Sequence, residues 1–183
     1  MEQRMKIAGT GGQGVMVTGK ILGYAASDHD KFASFLPQYG TQMRGGTASC
    51  TLIVSDEEIG SPIVSIADIM MMFQQSALDA YLDQLKPGGL LFINSNTCRM
   101  PERGDIEVIA LPVDDLAKEL GAKQTANIIM LGAYVERTKM FSEEEIIKTL
   151  EHVFESKPQV WEINEKAVLK GASLMKEYTG GLL

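Results

Sequence analysis

A glycine-rich segment close to the N-terminus is the first part of this sequence that could bind a ligand. Gly9, Gly11 and Gly14 satisfy the pattern G-x-G-x-x-G, and Gly12 and Gln13 complete the segment. Because glycine has no Cβ, such a turn can adopt positive φ and let a ligand approach the backbone. A helix that begins directly after the turn presents free N–H groups, which suits a phosphate. The alternative is a tight turn that only packs a helix against a strand.

A second loop, over residues 37–46, carries the other candidate groups. Tyr39 offers an aromatic face and a hydroxyl, and Arg44 is followed by Gly45 and Gly46. A guanidinium can donate two parallel hydrogen bonds to one carboxylate or phosphate. The sequence therefore predicts an anion contact at Arg44. The alternative is a surface loop whose Arg44 pairs with a carboxylate of this chain or of a partner.

The residues after the glycine segment disfavour an ordinary NAD site. Such sites place an acidic residue about 20 positions further on, at the end of the second strand, where it holds the ribose hydroxyls. The predicted second strand, Phe32–Leu36, leads into Pro37 and Gln38, and both Asp28 and Asp30 precede it. Another nucleotide-bearing ligand remains compatible with the pattern.

Strand and helix patterns alternate along the first two-thirds of the chain. The predicted strands are Met5–Ala8, Phe32–Leu36, Thr47–Val54, Ala67–Phe73, Leu90–Ile93 and Ile106–Val113, with Ile63–Ile66 as a possible hairpin partner. The predicted helices are Gln13–Ser27, Ser76–Leu85, Asp114–Leu120, Asn127–Arg137, Glu143–Phe154 and Ile163–Tyr178. This order predicts an α/β fold with an open, mostly parallel, Rossmann-like sheet and helices on both faces. Met5–Ala8 is expected near its centre, with the glycine segment at its carboxyl edge.

Two helix starts carry further signals. Ser142 precedes three glutamates, and Glu145 stands at the position that completes a capping box. Asn127 is expected to cap or brace the start of its own helix.

Ala67–Phe73 is apolar throughout after Asp68, which is typical of a strand buried on both faces.

Length and composition bound the class of protein. The chain has 183 residues, 45% hydrophobic and 22% charged, which predicts one globular domain over residues 1–183 and excludes a disordered or collagen-like chain. The net charge of −7 disfavours a nucleic-acid partner. Residues 1–50 carry five basic and three acidic side chains, so an anionic ligand is favoured there. We expect no membrane span, because no apolar run reaches ~18 residues, and a cytoplasmic location, because Met1–Lys6 lacks a signal-peptide pattern.

The cysteines and histidines predict no metal or cluster site within this chain. Cys50 and Cys98 are the only two cysteines, far apart in sequence, and His29 and His152 are isolated. An iron–sulfur cluster usually needs four thiolates, and a structural zinc site needs several closely spaced ligands. We expect structural roles for all four side chains, and no catalytic residue is predicted.

The two glycine-bearing motifs together resemble the gamma subunit, or gamma domain, of the 2-oxoacid:ferredoxin (or flavodoxin) oxidoreductases. They are G-x-G-G-Q-G near the N-terminus and Y-G-x-x-x-R-G-G-T about 25 residues later. Ser55–Pro62, Lys86–Gly89 and Asn127–Tyr134 are also similar to that family, so the resemblance covers nearly the whole chain. The family often has an acidic residue where this chain has Gln42, so Arg44 is either freer here or held by another group.

The resemblance implies a part in a multi-subunit enzyme. Such enzymes decarboxylate a 2-oxoacid on thiamine diphosphate, pass electrons through iron–sulfur clusters to ferredoxin, and transfer the acyl unit to coenzyme A. Thiamine diphosphate and the clusters would belong to alpha, beta and delta partner subunits. This chain would be structural and would handle coenzyme A at or near the two loops, without activity alone. Its cofactor-binding residues would be Gly9, Gly11, Gly12, Gln13, Gly14, Tyr39, Arg44, Gly45 and Gly46.

Two other functions remain open from the sequence: a stand-alone nucleotide-binding module, and a purely structural subunit with vestigial loops. The identity of the 2-oxoacid is open as well, among branched-chain 2-oxoacids, 2-oxoglutarate and pyruvate.

Overall fold

The computed structural model describes residues 1–39 and 46–178, with only the backbone at Tyr39. Within these residues the strands are β1 (Glu2–Thr10), β2 (Phe32–Tyr39), β3 (Thr47–Ser55), β4 (Ala67–Met72), β5 (Leu85–Asn94) and β6 (Glu107–Leu111). The helices are α1 (Val15–Asp28), α2 (Gln75–Tyr81), α3 (Val113–Glu119), α4 (Ala126–Thr138), α5 (Glu143–Val153) and α6 (Pro158–Glu177). Short 3-10 turns cover Leu82–Gln84 and Lys123–Thr125.

The strands form one six-stranded sheet in the order β2-β3-β1-β4-β5-β6. β1, β4, β5 and β6 run parallel, whereas β3 is antiparallel to both β1 and β2. The predicted α/β fold is confirmed, with β1 inside the sheet. The antiparallel part arises because β2 and β3 are joined by a short connection, and only antiparallel neighbours can be joined that way.

Helices cover both faces of the sheet, as predicted, but unequally. The larger core cluster contains side chains from α1, α3, α4, α5 and α6, and the smaller one contains Ala77 and Leu78 of α2. β4 contributes to both, because Ile69 and Met71 lie in the larger cluster while Met70 and Met72 lie in the smaller. The apolar run 69–72 of β4 is thus explained by burial on both faces.

Two predicted elements differ in kind from the structure, and α6 begins at Pro158, five residues before the predicted start at Ile163. Ile63 and Ile66 lie in an irregular segment and are 68% and 50% exposed, so the predicted hairpin partner was wrong. Both edges of β3 are already paired, with β1 and β2, which leaves no edge for another strand. The helix predicted over Ser76–Leu85 ends at Tyr81, and Leu85 instead begins β5, where its side chain is buried in the smaller cluster.

The capping box at the start of α5 is confirmed. The Glu145 backbone N–H donates to Ser142 Oγ at 3.2 Å, and the Ser142 N–H donates to Glu145 Oε2 at 2.6 Å. The hydrogen bond from the Ser142 backbone holds the pKa of Glu145 below its usual value. The carboxylate therefore stays ionised at the positive end of α5.

Two glycines bring α4 and α6 into backbone contact. A Cβ at Gly171 of α6 would overlap the carbonyl oxygen of Ile129, and a Cβ at Gly132 of α4 would overlap that of Val168. Neither atom is the end of a flexible side chain, so neither helix can accept a side chain there without moving.

We predict that Gly171→Ala lowers the free energy of unfolding by about 1–3 kcal/mol or more, because the added methyl group overpacks a backbone contact. Urea unfolding followed by circular dichroism measures the change. Gly23→Ala in α1 is the matched control, since a Cβ there meets open space, and it should gain up to ~1 kcal/mol in helix propensity. Unchanged unfolding of Gly171→Ala would show that the two helices are not in such close contact.

Candidate functional site

The predicted glycine segment forms the turn between β1 and α1. Gly12 and Gly14 have φ of 92° and 75°, a left-handed conformation that side chains with a Cβ rarely adopt. Gly14 is the N-cap of α1, and no side chain caps that helix start. The strand–turn–helix setting that the motif requires is therefore present.

Backbone donors are concentrated at this turn. The N–H groups of Gly11, Gly12 and Gly14 form no hydrogen bond with any residue that the structure describes. The first turn of α1 contains no acidic side chain, and its first N–H groups have no partner within the helix. Together with the positive end of the helix dipole, these groups can accept an anion.

The amide of Gln13 braces the turn from within. Its Oε1 accepts the Thr10 N–H at 2.7 Å, and its Nε2 donates to the Phe73 carbonyl at 3.0 Å. Phe73 directly follows β4, so this side chain links the carboxyl ends of two neighbouring strands. The sequence placed Gln13 among the ligand-binding residues. The structure gives its amide a positioning role, and a direct ligand contact stays a prediction.

The side-chain amide of Asn127, in the first turn of α4, also holds the glycine turn in place. Its Nδ2 donates to the Gly14 carbonyl at 3.2 Å and to Thr18 Oγ1 at 3.1 Å, and the side chain is buried. A Cβ at Gly14 would overlap this amide. The prediction that Asn127 caps its own helix was wrong: Thr125 is the N-cap of α4, and the amide serves α1. A polar residue within the largely apolar stretch 126–135 was the only sequence signal.

The glycines of the turn have different roles. A Cβ at Gly9 would lie 2.5 Å from Gln13 Oε1 and 2.9 Å from Phe73 Cβ, so Gly9 is required for packing. A Cβ at Gly11 or at Gly12 would meet nothing within 4 Å. A ligand can thus approach the backbone at Gly11 and Gly12, whereas Gly9 allows the turn to pack closely against Phe73.

The ends of the second predicted loop lie at the same edge of the sheet. Tyr39 pairs with Ala48, which pairs with Gly9, and Thr47 pairs with Thr10. Gly46 directly precedes β3. Arg44, Gly45 and the side chain of Tyr39 lie outside what the structure describes, so their predicted contacts are not tested by it.

Two larger grooves border the glycine turn, beside a smaller cavity of about 100 Å³. One, of about 510 Å³, runs from Gly12 and Gly14 to the start of α6, and the other, of about 370 Å³, lies toward Ala48 of β3. The first is lined by the amides Gln124, Asn127, Gln159 and Asn164 and by the apolar side chains Val17, Ile128, Phe154, Val160 and Ile163. Asn164 is 6% exposed, and its amide has no hydrogen-bond partner in the described part of the chain. An amide left open onto an apolar groove suits a ligand with polar and apolar portions.

A larger depression, of about 540 Å³, lies away from the turn, between α1 and the edge strand β2. Its rim includes Lys20, Tyr24, Lys31 and Phe35. None of the braced donor groups reaches it, so we place the candidate site at the glycine turn.

Cys50 lies directly beneath the start of α1. Its Sγ is 3.7 Å from the Val15 carbonyl, and the side chain is fully buried. Burial raises the pKa of this thiol to about 12, so the thiol is protonated at neutral pH and is a poor nucleophile. Burial also raises the pKa of Cys98.

Residues 1–39 and 46–178 contain neither a group of metal-ligating side chains nor a membrane-crossing helix. No three or more His, Cys, Asp or Glu side chains are grouped so that they could hold a metal ion. No helix there combines the length and the apolar character that a membrane crossing needs.

This domain is an open α/β sheet with helices on both faces. Its first strand leads into a helix that has no side-chain cap, through a glycine turn that Gln13 and Asn127 hold in place. The sequence profile of the pyruvate ferredoxin/flavodoxin oxidoreductase family matches residues 4–174, and the chain belongs to this family.

The relatives include both free-standing and longer chains. The chain is 35% identical over 183 residues to the 2-oxoglutarate synthase subunit KorC of Methanocaldococcus jannaschii, covering 97% of this chain and 96% of that one. It is 33% identical over 181 residues to the ketoisovalerate oxidoreductase subunit VorA of Methanothermobacter marburgensis, covering 98% of this chain but 38% of that one. The chain therefore spans well under half the length of its VorA relatives.

Solved structures show the same fold. The gamma subunit of a keto/oxoacid ferredoxin oxidoreductase from Geobacter sulfurreducens is 31% identical with a TM-score of 0.81, covering 96% of this chain and 99% of that one. The 2-oxoglutarate:ferredoxin oxidoreductase of Magnetococcus marinus superposes with a TM-score of 0.89 at 23% identity, over 99% of this chain and 32% of that one. At that identity the second likeness concerns the fold alone.

We predict that Gln13→Ala lowers the free energy of unfolding by about 1–3 kcal/mol, because it leaves two partners of the turn without a hydrogen bond. The Thr10 amide hydrogen should also exchange faster, which NMR can follow residue by residue. Gln124→Ala is the control, since that side chain is exposed and its amide forms no hydrogen bond with the described residues. If Thr10 exchange is as slow as in the parent chain, the turn does not depend on Gln13.

Proposed function

We propose that this chain is the gamma subunit of a multi-subunit 2-oxoacid:ferredoxin oxidoreductase and acts over residues 1–183 as one structural, coenzyme A-handling domain. The enzyme converts a 2-oxoacid to an acyl-CoA and delivers the electrons to ferredoxin. The observation that carries the proposal is the uncapped, donor-rich turn at Gly11–Gly14, in a chain of this family. The match to nearly the whole KorC subunit supports the assignment to this kind of subunit.

The turn and its first groove fit the chemistry of coenzyme A. The N–H groups of Gly11, Gly12 and Gly14 would hold a phosphate group, and Arg44 would add a forked contact. The groove that ends at Asn164 would take a longer part of the molecule, which has both apolar and hydrogen-bonding portions. The Magnetococcus enzyme was solved with 2-oxoglutarate, coenzyme A and succinyl-CoA bound, which supports the choice of ligand class.

The other cofactors of the reaction would be held by partner subunits. An iron–sulfur cluster is usually held by four thiolates, whereas this chain has two cysteines, both buried and on separate elements. Thiamine diphosphate and the clusters would therefore reside in the alpha, beta and delta subunits, which also contact ferredoxin. We place the complex in the cytoplasm, with neither nucleic acid nor membrane as a partner.

The relatives are named for ketoisovalerate, 2-oxoglutarate and pyruvate. The proposal covers the same three substrate classes, because the proposed contacts concern coenzyme A and not the 2-oxoacid.

We predict that the purified chain alone does not reduce ferredoxin or a viologen dye with any of these 2-oxoacids, whereas the complex that contains it does. The chain has only two cysteines, too few to hold an iron–sulfur cluster that would carry the electrons. Adding the chain back to a complex depleted of it should restore turnover. Appreciable 2-oxoacid-dependent reduction by the single chain would contradict the proposal.

We predict that Arg44→Ala weakens the apparent affinity for coenzyme A by about 10- to 150-fold, the cost of roughly 1.5–3 kcal/mol for one charge-assisted contact. Arg44→Lys should recover only part of this loss, because an ammonium group cannot fork two hydrogen bonds to one anion. The measurement is the KM for coenzyme A in the reconstituted complex, with assembly checked by size. An unchanged KM together with a broken assembly would make the loop an interface element instead.

Gly11→Ala tests the turn itself in the same assay. A Cβ at Gly11 meets open space in the free chain, so folding should be unaffected, whereas a phosphate on the backbone would be displaced. Gly12→Val should also raise the KM, but its positive φ of 92° adds backbone strain, which makes Gly11→Ala the cleaner test. Gly23→Ala is the control. Wild-type KM for Gly11→Ala would refute the backbone contact.

A further inference from the structure

The buried cation of β1 is not used by the proposed function. Lys6 lies on the face of the sheet that α2 covers, and it is 5% exposed. Its ammonium group lies 3.9 Å from the centre of the Tyr81 ring. It forms no ion pair and no hydrogen bond with the described residues. A lysine is almost never buried to this extent without a partner, because desolvation of the charge is costly.

Hydroxyl groups from two elements, β3 and α2, lie beside Lys6. Thr51 of β3 is paired directly with Lys6, is 4% exposed, and has no hydrogen-bond partner for its hydroxyl among the described residues. Ser49 lies two positions earlier on the same face of β3. Its Oγ is 3.4 Å from Tyr81 OH and donates to Gln38 Oε1 at 3.3 Å.

Nearby carboxylates are already engaged elsewhere. Asp68, on the same face of β4, accepts the Arg4 N–H at 2.7 Å and pairs with Lys86 Nζ at 2.6 Å. Asp79 of α2 accepts from Gln75 Nε2 at 2.7 Å. The cluster of Lys6, Ser49, Thr51 and Tyr81 therefore combines one ammonium group with three hydroxyl groups and contains no acid.

The polar atoms of this cluster can be reached from outside. Within the described residues, no side-chain nitrogen or oxygen that is fully shielded from solvent lacks a hydrogen-bond partner. The unpartnered Lys6 Nζ and Thr51 Oγ1 must therefore retain some solvent contact, although their side chains are more than nine-tenths buried. Burial lowers the pKa of Lys6, so a bound anion would favour its charged form.

We propose that Lys6, with the hydroxyls of Ser49, Thr51 and Tyr81, forms an oxyanion-binding site on the sheet face opposite α1. The ligand is a carboxylate or phosphate group, from either a free small anion or an acidic side chain of a partner subunit. The anion would supply the negative charge and the acceptor atoms that the cluster lacks. It would also replace the solvent at Lys6 Nζ with a charge-assisted hydrogen bond. The site is separate from the glycine turn and does not depend on the coenzyme A proposal.

Thermal unfolding of the isolated chain tests the site with inorganic phosphate as the probe, compared with chloride at equal ionic strength. In chloride, Lys6→Met should unfold at the same temperature as wild type or higher, because an uncompensated charge has been removed. Phosphate should raise the wild-type midpoint more than that of Lys6→Met or Thr51→Val, since a ligand stabilises only a chain that binds it. Lys20→Met, which removes an exposed lysine, should respond to phosphate as wild type does.

Assembly with the partner subunits identifies the source of the anion. If phosphate stabilises wild type but not Lys6→Met, and Lys6→Met assembles as wild type does, the site binds a free anion. At least tenfold weaker assembly of Lys6→Met and Thr51→Val, with no phosphate effect in wild type, assigns it to a partner's carboxylate. The proposal is overturned if neither phosphate response nor assembly separates these variants from Lys20→Met. It is also overturned if Lys6→Met lowers the midpoint in chloride, because the Tyr81 contact is then structural.

Discussion

The candidate site of this protein depends on the hydrogen bonds of one amide, that of Gln13. Its two bonds hold the end of β1 against the end of β4, while the turn between β1 and α1 remains free of side-chain caps. The Phe73 carbonyl also accepts from Thr97 Oγ1 at 2.8 Å, so the turn that follows β5 joins the same junction. The Gln13 side chain bonds to Thr10 and Phe73 and leaves the N–H groups of Gly11, Gly12 and Gly14 available for a ligand.

The sheet has two different faces, and each has its own polar site. Five helices cover one face, and the buried amide of Asn127 connects that layer to the glycine turn. On the other face α2 is short, so β3 and the inner part of β1 carry Ser49, Thr51 and Lys6 where a helix-covered strand would carry apolar side chains. An uneven distribution of helices thus leaves room for polar groups on a central strand.

Relatives of this domain occur at two lengths, which bears on its role. In the KorC relative it accounts for nearly the whole chain, and in VorA for little more than a third. A domain that can be either separate or joined to others needs an independent core, and the close packing of α4 on α6 provides much of it here.

The sequence alone determined the elements whose signals are local. The strand–turn–helix at Gly9–Gly14, the capping box at Ser142 and the doubly buried strand β4 were all predicted, because each depends on residues within a few positions of one another. The fold class followed from the alternation of strands and helices, and β1 was correctly expected inside the sheet.

Tertiary structure alone decided the partners of polar side chains and of strand edges. Asn127 bonds to a residue 113 positions away, so its true role could not be read from its own helix. The hairpin predicted at Ile63–Ile66 failed because β2 and β1 already occupy both edges of β3, a competition that no local pattern records. Lys6 reads in sequence as an ordinary polar position of a strand, and only the packing of Tyr81 over it makes it a buried, unpaired charge. Hydrogen bonding and burial depend on which elements meet in space, and that is settled only when the whole chain folds.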